Sequence, residues 1–136
     1  MLRTTIQLRR ELGAALQREH DLSMAEYDVL LRLEEQPGGR LRMSDLADTV
    51  LQPRSSLTRI AIGLEGRGLI RRESMASDGR GAEAVLTEAG LAAFRAAQRK
   101  HLQRVRERFL DRLSDRQLAA LGAAWDAVGN GEPAER

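Results

Sequence analysis

Residues 44–87 read SDLADTVLQPRSSLTRIAIGLEGRGLIRRESMASDGRGAEAVLT. Ser44 is a good N-cap for a short helix, Ser44 to Val50, that places Leu46, Ala47 and Val50 on one face. Leu51-Gln52-Pro53 breaks this pattern, and Pro53 suits the first turn of a new helix, where its missing N–H costs nothing. In that second helix Leu57, Ile60, Ala61 and Leu64 fall at i, i+3, i+4 and i+7. The opposite face therefore carries Ser55, Arg59 and Ile62, flanked by Ser56 and Thr58. Gly66 and Gly68 end the helix and release a short strand, Leu69 to Ser74. A polar tip, Ser77 to Gly81, turns the chain back into Glu83 to Thr87. Helix, tight turn, helix and basic hairpin in unbroken order are the layout of a winged helix-turn-helix. Short hydroxyls and an arginine on the outward face are what a helix lying in a DNA major groove presents.

Outside this stretch the sequence is helical and well punctuated. A first helix, Leu2 to about Glu19, carries an apolar stripe of Leu2, Ile6, Leu12 and Leu16. Ser23 and Glu26 form a capping box, and Leu22 and Tyr27 a hydrophobic staple, so the second helix starts at Ser23 and runs to about Glu35. Pro37-Gly-Gly39 stops it, and Arg40-Leu-Arg42 reads as a short edge strand pairing with the wing. Thr87 caps a long helix through about Leu113, with Leu91, Phe94, Leu102, Val105 and Phe109 on one face. Ser114 and Gln117 form another capping box, opening a last helix with Leu118, Leu121, Trp125 and Val128 on one side and Gly129-Asn-Gly131 at its end. The expected fold is mainly α with a small β-hairpin wing, in a single domain over residues 1–136. A winged helix-turn-helix lobe (22–90) is flanked by terminal helices (1–21 and 91–129), with a disordered tail at 130–136.

Composition narrows the function classes. A chain of 136 residues with 42% apolar residues can bury a core. With only 3% aromatics, that core must come from Leu, Ala, Ile and Val. The absence of cysteine excludes a disulfide framework and a thiol switch. No apolar run approaches a membrane span, and arginines follow Met1 too closely for a signal peptide, so a cytoplasmic location is expected. The net charge is only +2, but residues 40–80 hold eight arginines against five acids, an excess of three positive charges in the lobe proposed to meet DNA. A plainer explanation is biased codon usage, since the chain has 21 arginines and one lysine. His20 and His101 are the only histidines, far apart and without cysteine, so no metal site or cofactor is expected. No nucleophile-base-acid set is visible, and the glycines lack phosphate-loop spacing, so an enzyme is the least expected class.

The segments LSMAEYDVLLRL (22–33) and LADTVLQPRSSLTRIAIGLEGRGLIRRESMASDGRGAEAVLTEAG (46–90), followed by the closing helical pair, resemble the MarR family of transcriptional regulators over roughly Leu22 to Val128. The resemblance implies a homodimer with a winged lobe in each subunit, binding duplex DNA at an inverted-repeat operator and acting mostly as a repressor released by a small ligand. It also implies that Leu2, Ile6, Leu118, Leu121 and Trp125 are buried across a two-fold axis, although these side chains could instead close a monomeric core.

Candidate DNA contacts follow. Arg54, Ser55, Ser56, Thr58 and Arg59 occupy the first two turns of the recognition helix, the end that meets bases and phosphates. Arg59 is the candidate for guanine O6 and N7; its plain alternative is a surface ion pair with Asp48 or Glu65. Arg80, at the family's wing-tip position, is expected in the minor groove. Asp78 would orient Arg80 or Arg72, or is simply an acidic turn residue. Ile62-Gly63 stands where the family often has an aspartate, which leaves an ion-pair link from this helix to the wing without its usual acid. For a small aromatic or organic acid, the resemblance implicates His20, Met24, Tyr27 and Arg42; Tyr27 also serves as the staple, Met24 as core filler and His20 as a helix-end residue. The rival reading is a winged helix that binds protein rather than DNA, for which Ile62 is the one exposed apolar anchor on the outward face.

Overall fold

Local capping sets the frame of the molecule. A computed structural model describes residues 2–50, 52–75 and 81–130. The elements run α1 (Leu2–His20), α2 (Met24–Glu34), a 3-10 turn (Pro37–Gly39), β1 (Arg40–Arg42), α3 (Met43–Thr49), α4 (Arg54–Gly66), β2 (Ile70–Ser74), β3 (Ala82–Leu86), α5 (Glu88–Arg108), a second 3-10 turn (Leu110–Arg112) and α6 (Asp115–Asn130). They form two compact units, Met1–His101 and Leu102–Arg136. The tail expected to be disordered lies, from residue 131 on, outside the described residues, and Asn130 closes α6.

Both capping boxes form. Ser23 Oγ accepts from the Glu26 amide at 3.1 Å, and the Ser23 amide donates to Glu26 Oε2 at 2.8 Å. Ser114 and Gln117 repeat the arrangement at the head of α6, with the Ser114 amide donating to Gln117 Oε1 at 2.9 Å. At the end of α4, Gly68 takes φ +71°, its amide donates to Glu65 O, and the Leu69 amide donates to Leu64 O. This six-to-one and five-to-two pair is a Schellman ending, which needs a residue without Cβ strain at Gly68.

Three helix boundaries differ from the sequence reading. Ser44 does not cap α3: the helix starts at Met43 with Arg42 in extended conformation before it and no side-chain cap bond, because β1 runs straight into it. Pro53 is the residue before α4 rather than its first turn. The long helix stops at Arg108, not Leu113, since Phe109 leaves helical geometry (φ −128°, ψ −65°) and a 3-10 turn follows.

The sheet has the order β1-β3-β2, all antiparallel, with Leu41 opposite Ala84 and Arg72 opposite Ala84 on the other side. The Arg40–Arg42 edge strand therefore joins the hairpin as expected. The hairpin extends to Met75, whose amide donates to Gly81 O, and the tip between them, residues 76–80, lies outside the described residues.

The core of the first unit gathers Leu16, Leu22, Leu30, Leu33, Leu46, Leu57, Leu64, Ile70 and Phe94, each at most 2% exposed. Leu, Ile and Ala thus fill the interior, as the scarcity of aromatics requires. Two of the four aromatics meet in this core with a histidine: Tyr27 lies 5.2 Å from Phe94 and 4.8 Å from His101, centroid to centroid, in tilted pairs. His101 Nδ1 is buried there without a hydrogen-bond partner, and burial pushes its pKa below the ordinary histidine value.

Two predictions arise here. A Cβ on Gly90 would meet the Leu69 carbonyl and lie 2.9 Å from Leu86 Cδ1. Gly90→Ala should therefore destabilise by about 1–3 kcal/mol or more despite the better helix propensity of alanine, as read by urea denaturation. For His101, the unfolded state binds its proton near pH 6.5 and the folded state only at lower pH. Its contribution to stability is therefore complete above about pH 6.5 and is lost as pH falls toward the depressed folded value, with a slope of at most about 1.4 kcal/mol per pH unit. His101→Phe should show a smaller fall in stability between pH 7 and pH 5 than the native chain; equal falls would show that His101 does not titrate in this range.

Candidate nucleic-acid interface

The candidate surface is the outward face of α4. Leu57, Ala61 and Leu64 anchor the helix by being 2%, 0% and 0% exposed, so the residues half a turn away must face solvent. Ser55, Thr58 and Arg59 are exposed there and Ser56 is half-buried. Thr58 donates its hydroxyl proton back to the Arg54 carbonyl at 3.3 Å, which leaves its oxygen as an acceptor. Pro53 provides no side-chain cap, so the first amides of α4 keep free donors at the positive end of the helix dipole.

Charge pairing separates the arginines of this lobe. Arg40 pairs with Glu73 at 3.2 Å and Glu83 at 3.6 Å, Arg67 with Asp21 at 3.5 Å and Glu26 at 3.7 Å, and Arg71 with Glu73 at 3.2 Å. Arg54 meets Asp48 at 3.3 Å with both side chains largely exposed, a pair that solvent screens. Arg72 binds Glu65 most closely, at 2.7 Å. The two acids named as alternative partners for Arg59 are thus taken by Arg54 and Arg72. Among the described residues Arg59 and Arg42 have no ion pair. Arg80 and Asp78 lie in the wing tip, outside the described residues.

Glu65, which the sequence offered only as an alternative partner for Arg59, instead joins α4 to β2. Its Oε2 accepts from Arg72 Nε at 2.8 Å, and its Oε1 from the Arg72 amide at 3.1 Å. These bonds hold its carboxyl below the usual carboxylate range, the side-chain bond first and the backbone bond second. The helix-to-wing link, lacking the usual acid at Ile62-Gly63, is made here one turn later. Arg72 therefore acts first as the wing's tether. The pairing joins a helix residue to a strand residue across the Schellman turn, a proximity that helical periodicity does not reveal.

Of the residues implicated in ligand binding, Met24 and Tyr27 share the wall of a cavity of about 280 Å³, completed by Arg9, Ala25, Asp28, Leu31 and Gln52. His20 and Arg42 are not in its wall. Arg9 and Asp28 bring opposite charges to it, and Gln52 comes from the turn between α3 and α4. Among the described residues no cluster of three His, Cys, Asp or Glu side chains is placed to hold a metal ion, and no helix is long and apolar enough to cross a membrane.

The fold and the sequence both have relatives. AbsC, a MarR family transcriptional regulator from Streptomyces coelicolor, is 37% identical, with a TM-score of 0.87 over 96% of this chain and 87% of that one. The chain belongs to the MarR family. A MarR family model matches residues 20–81, which hold α2 through β2. Sco3205, a MarR family regulator from the same organism whose structure contains DNA, is 34% identical over 98% of this chain and 84% of its own, with a TM-score of 0.89. Wild-type MarR from E. coli, at 21% identity and a TM-score of 0.76 over 92% of this chain and 90% of its own, shares the fold. No curated protein matches the sequence.

The Glu65 link is testable in this MarR-family chain without DNA. Glu65→Ala should speed hydrogen exchange at the Arg72 amide severalfold while leaving exchange in α2 and α5 unchanged, because only the tether is removed. Unchanged protection at Arg72 would show that the wing is held by the sheet alone.

Proposed function

We propose that the chain is a sequence-specific regulator that binds double-stranded DNA as a homodimer, and that it is a repressor released by a small organic acid. The observation that carries the DNA-binding part is Arg59: it stands exposed on the outward face of α4 beside hydroxyl side chains and, among the described residues, lacks the ion pair that occupies most of its neighbours. A fork of donors so placed suits guanine, and the open amides at the start of α4 suit phosphate. That a relative with 34% identity has been crystallised with DNA supports the same reading.

The dimer is supported by apolar side chains left in solvent outside the lobe. Trp125 is 64% exposed and Val128 73% in α6, and Ile6 is 51% exposed in α1. A tryptophan in water gives up a large transfer free energy, which a second copy of the chain would recover. Two recognition helices related by a two-fold axis then enter successive major grooves, so the operator is an inverted repeat with half-site centres roughly 10 bp apart.

Ligand release is supported by the cavity at Tyr27. Its size suits a small acid, Arg9 offers the cation, and Tyr27 and Met24 an apolar wall. A ligand touching Gln52 would press on the turn that precedes Arg54 and so reposition the reading face. The rival reading of a protein-binding module has in its favour only the exposure of Ile62.

Selection from a random duplex pool should return an inverted repeat bound by two subunits. On it, Arg59→Ala should cost about 1–3 kcal/mol and relax preference at one base pair per half-site. Arg80→Ala should weaken binding most where flanks are A·T-rich and reduce the salt slope by about 1 per subunit. Anisotropy titrations at several salt concentrations, with sedimentation of the free protein, check this. A monomer whose mass does not change on adding DNA, or variants with native affinity and slope, would favour the interaction module.

A further inference from the structure

Ile62 and Gly63 are anomalous as parts of a helix that must hold its own shape. Both weaken helix propensity, Ile62 through its branched Cβ and Gly63 through backbone freedom, and they sit together in the third turn of a 13-residue helix. Neither is repaid among the described residues. Ile62 is 52% exposed, and a Cβ built on Gly63 meets nothing within 4 Å.

Their position gives the anomaly a direction. At about 100° per residue, Ser55, Arg59, Ile62 and Gly66 fall within a stripe about 60° wide, diametrically opposite Leu57, Ala61 and Leu64. Gly63 flanks the stripe on the side of Ser56. The exposed isoleucine is therefore on the same face as the arginine that is unpaired among the described residues, about 60° round the helix and about 4.5 Å further along its axis, an axial distance of one or two base-pair steps. Glu65, the nearest acid on this helix, is held by Arg72 and does not place a free carboxylate beside Ile62. What fits this stripe is a surface that is anionic, offers hydrogen-bond acceptors, and carries an apolar group within a few ångström of them, approaching closely enough to need no side chain at Gly63.

We infer that Ile62 is a specificity-determining residue that packs on the C5-methyl group of a thymine in the major groove, one or two base pairs from the guanine taken by Arg59, with bare Gly63 admitting the groove wall. The inference rests on the DNA-binding reading above and adds a second base to each half-site. A protein partner anchored on Ile62 is the competing occupant; the unpaired cation and hydroxyls beside it favour DNA.

The test uses the full chain and the duplex selected from the random pool. Thymines of the half-site are replaced one at a time by deoxyuridine, which removes only the methyl group. The native chain should lose roughly fourfold in affinity per half-site at one thymine, the worth of one buried methyl, and that thymine should lie one or two pairs from the position relaxed by Arg59→Ala. Ile62→Ala should bind the thymine and deoxyuridine duplexes equally. Gly63→Ala should melt at an equal or higher temperature and yet bind more weakly, which separates a contact role from a folding role. Native affinity unchanged at every deoxyuridine, or a thymine preference retained by Ile62→Ala, overturns the inference while leaving DNA binding intact. Native binding by Gly63→Ala overturns the close approach. Failure to select any duplex overturns the DNA-binding reading itself, before the deoxyuridine comparison is reached. The native-chain comparison needs no variant to fold.

Discussion

The backbone crossing at Leu69, Thr87 and Gly90 fixes the geometry of the reading lobe. Thr87 shares its hydroxyl proton between the carbonyls of Gly68 at 2.7 Å and Leu69 at 3.0 Å, and accepts from the Gly90 amide at 3.0 Å. Its own amide donates to Leu69 O at 3.2 Å. One side chain thereby joins the exit of the recognition helix, the start of β2, the end of β3 and the first turn of α5. The approach is possible only because Gly90 has no side chain to meet the Leu69 carbonyl. Beside this crossing Glu65 of α4 and Arg72 of β2 meet and tie the helix to the hairpin a second time.

Ion pairing inside the lobe does more to define a candidate DNA surface than total charge does. An excess of three positive charges over forty residues would be unremarkable for an arginine-rich chain. Arg40, Arg67, Arg71 and Arg72 are each engaged with acids of the lobe, so they add little to the field at a distance and more to the fixing of the sheet and of α2 against α4. What stands out is Arg59, which has Ser55, Ser56 and Thr58 on its N-terminal side and whose two nearby acids, Asp48 and Glu65, are committed to Arg54 and Arg72. A guanidinium kept unpaired on a rigid helix loses little by meeting a base, because no existing bond has to break first.

Much of this arrangement was legible in the sequence because it is local. Capping boxes at Ser23 and Ser114, the Gly68 ending and the apolar spacing of α4 are all decided within a few residues, and each formed as read. The misreadings also have local causes. Ser44 is a competent cap placed two residues too late, because β1 delivers the chain into α3 at Met43 and Arg42 takes the cap position. The stop at Arg108 carries no glycine or proline, so nothing in RFLDRLS marks it. Glu65 with Arg72 could not be read, since seven residues and a turn separate them and either could have faced solvent. The cavity at Tyr27 was half legible: Met24 and Tyr27 belong to it, while Arg9 and Gln52 arrive from other elements.

The same cavity places a constraint on how any ligand could act. A ligand shifts a conformational equilibrium only through contacts that differ between the two states. Tyr27 is held in the core by Phe94 and His101, so the wall it forms does not move readily. Gln52 is different, lying in the short connection between Val50, the buried residue that follows α3, and Arg54, the start of α4. Its side of the cavity is the one joined directly to α4. Leu57, Ala61 and Leu64 tie α4 to the core along one face, so a contact at Gln52 bears on the first turn of α4, where Ser55 and Arg59 stand, more than on the rest of the helix. Only a ligand whose contacts include Gln52 could favour one arrangement of that turn over another; one held by Arg9 and Tyr27 alone makes no contact there.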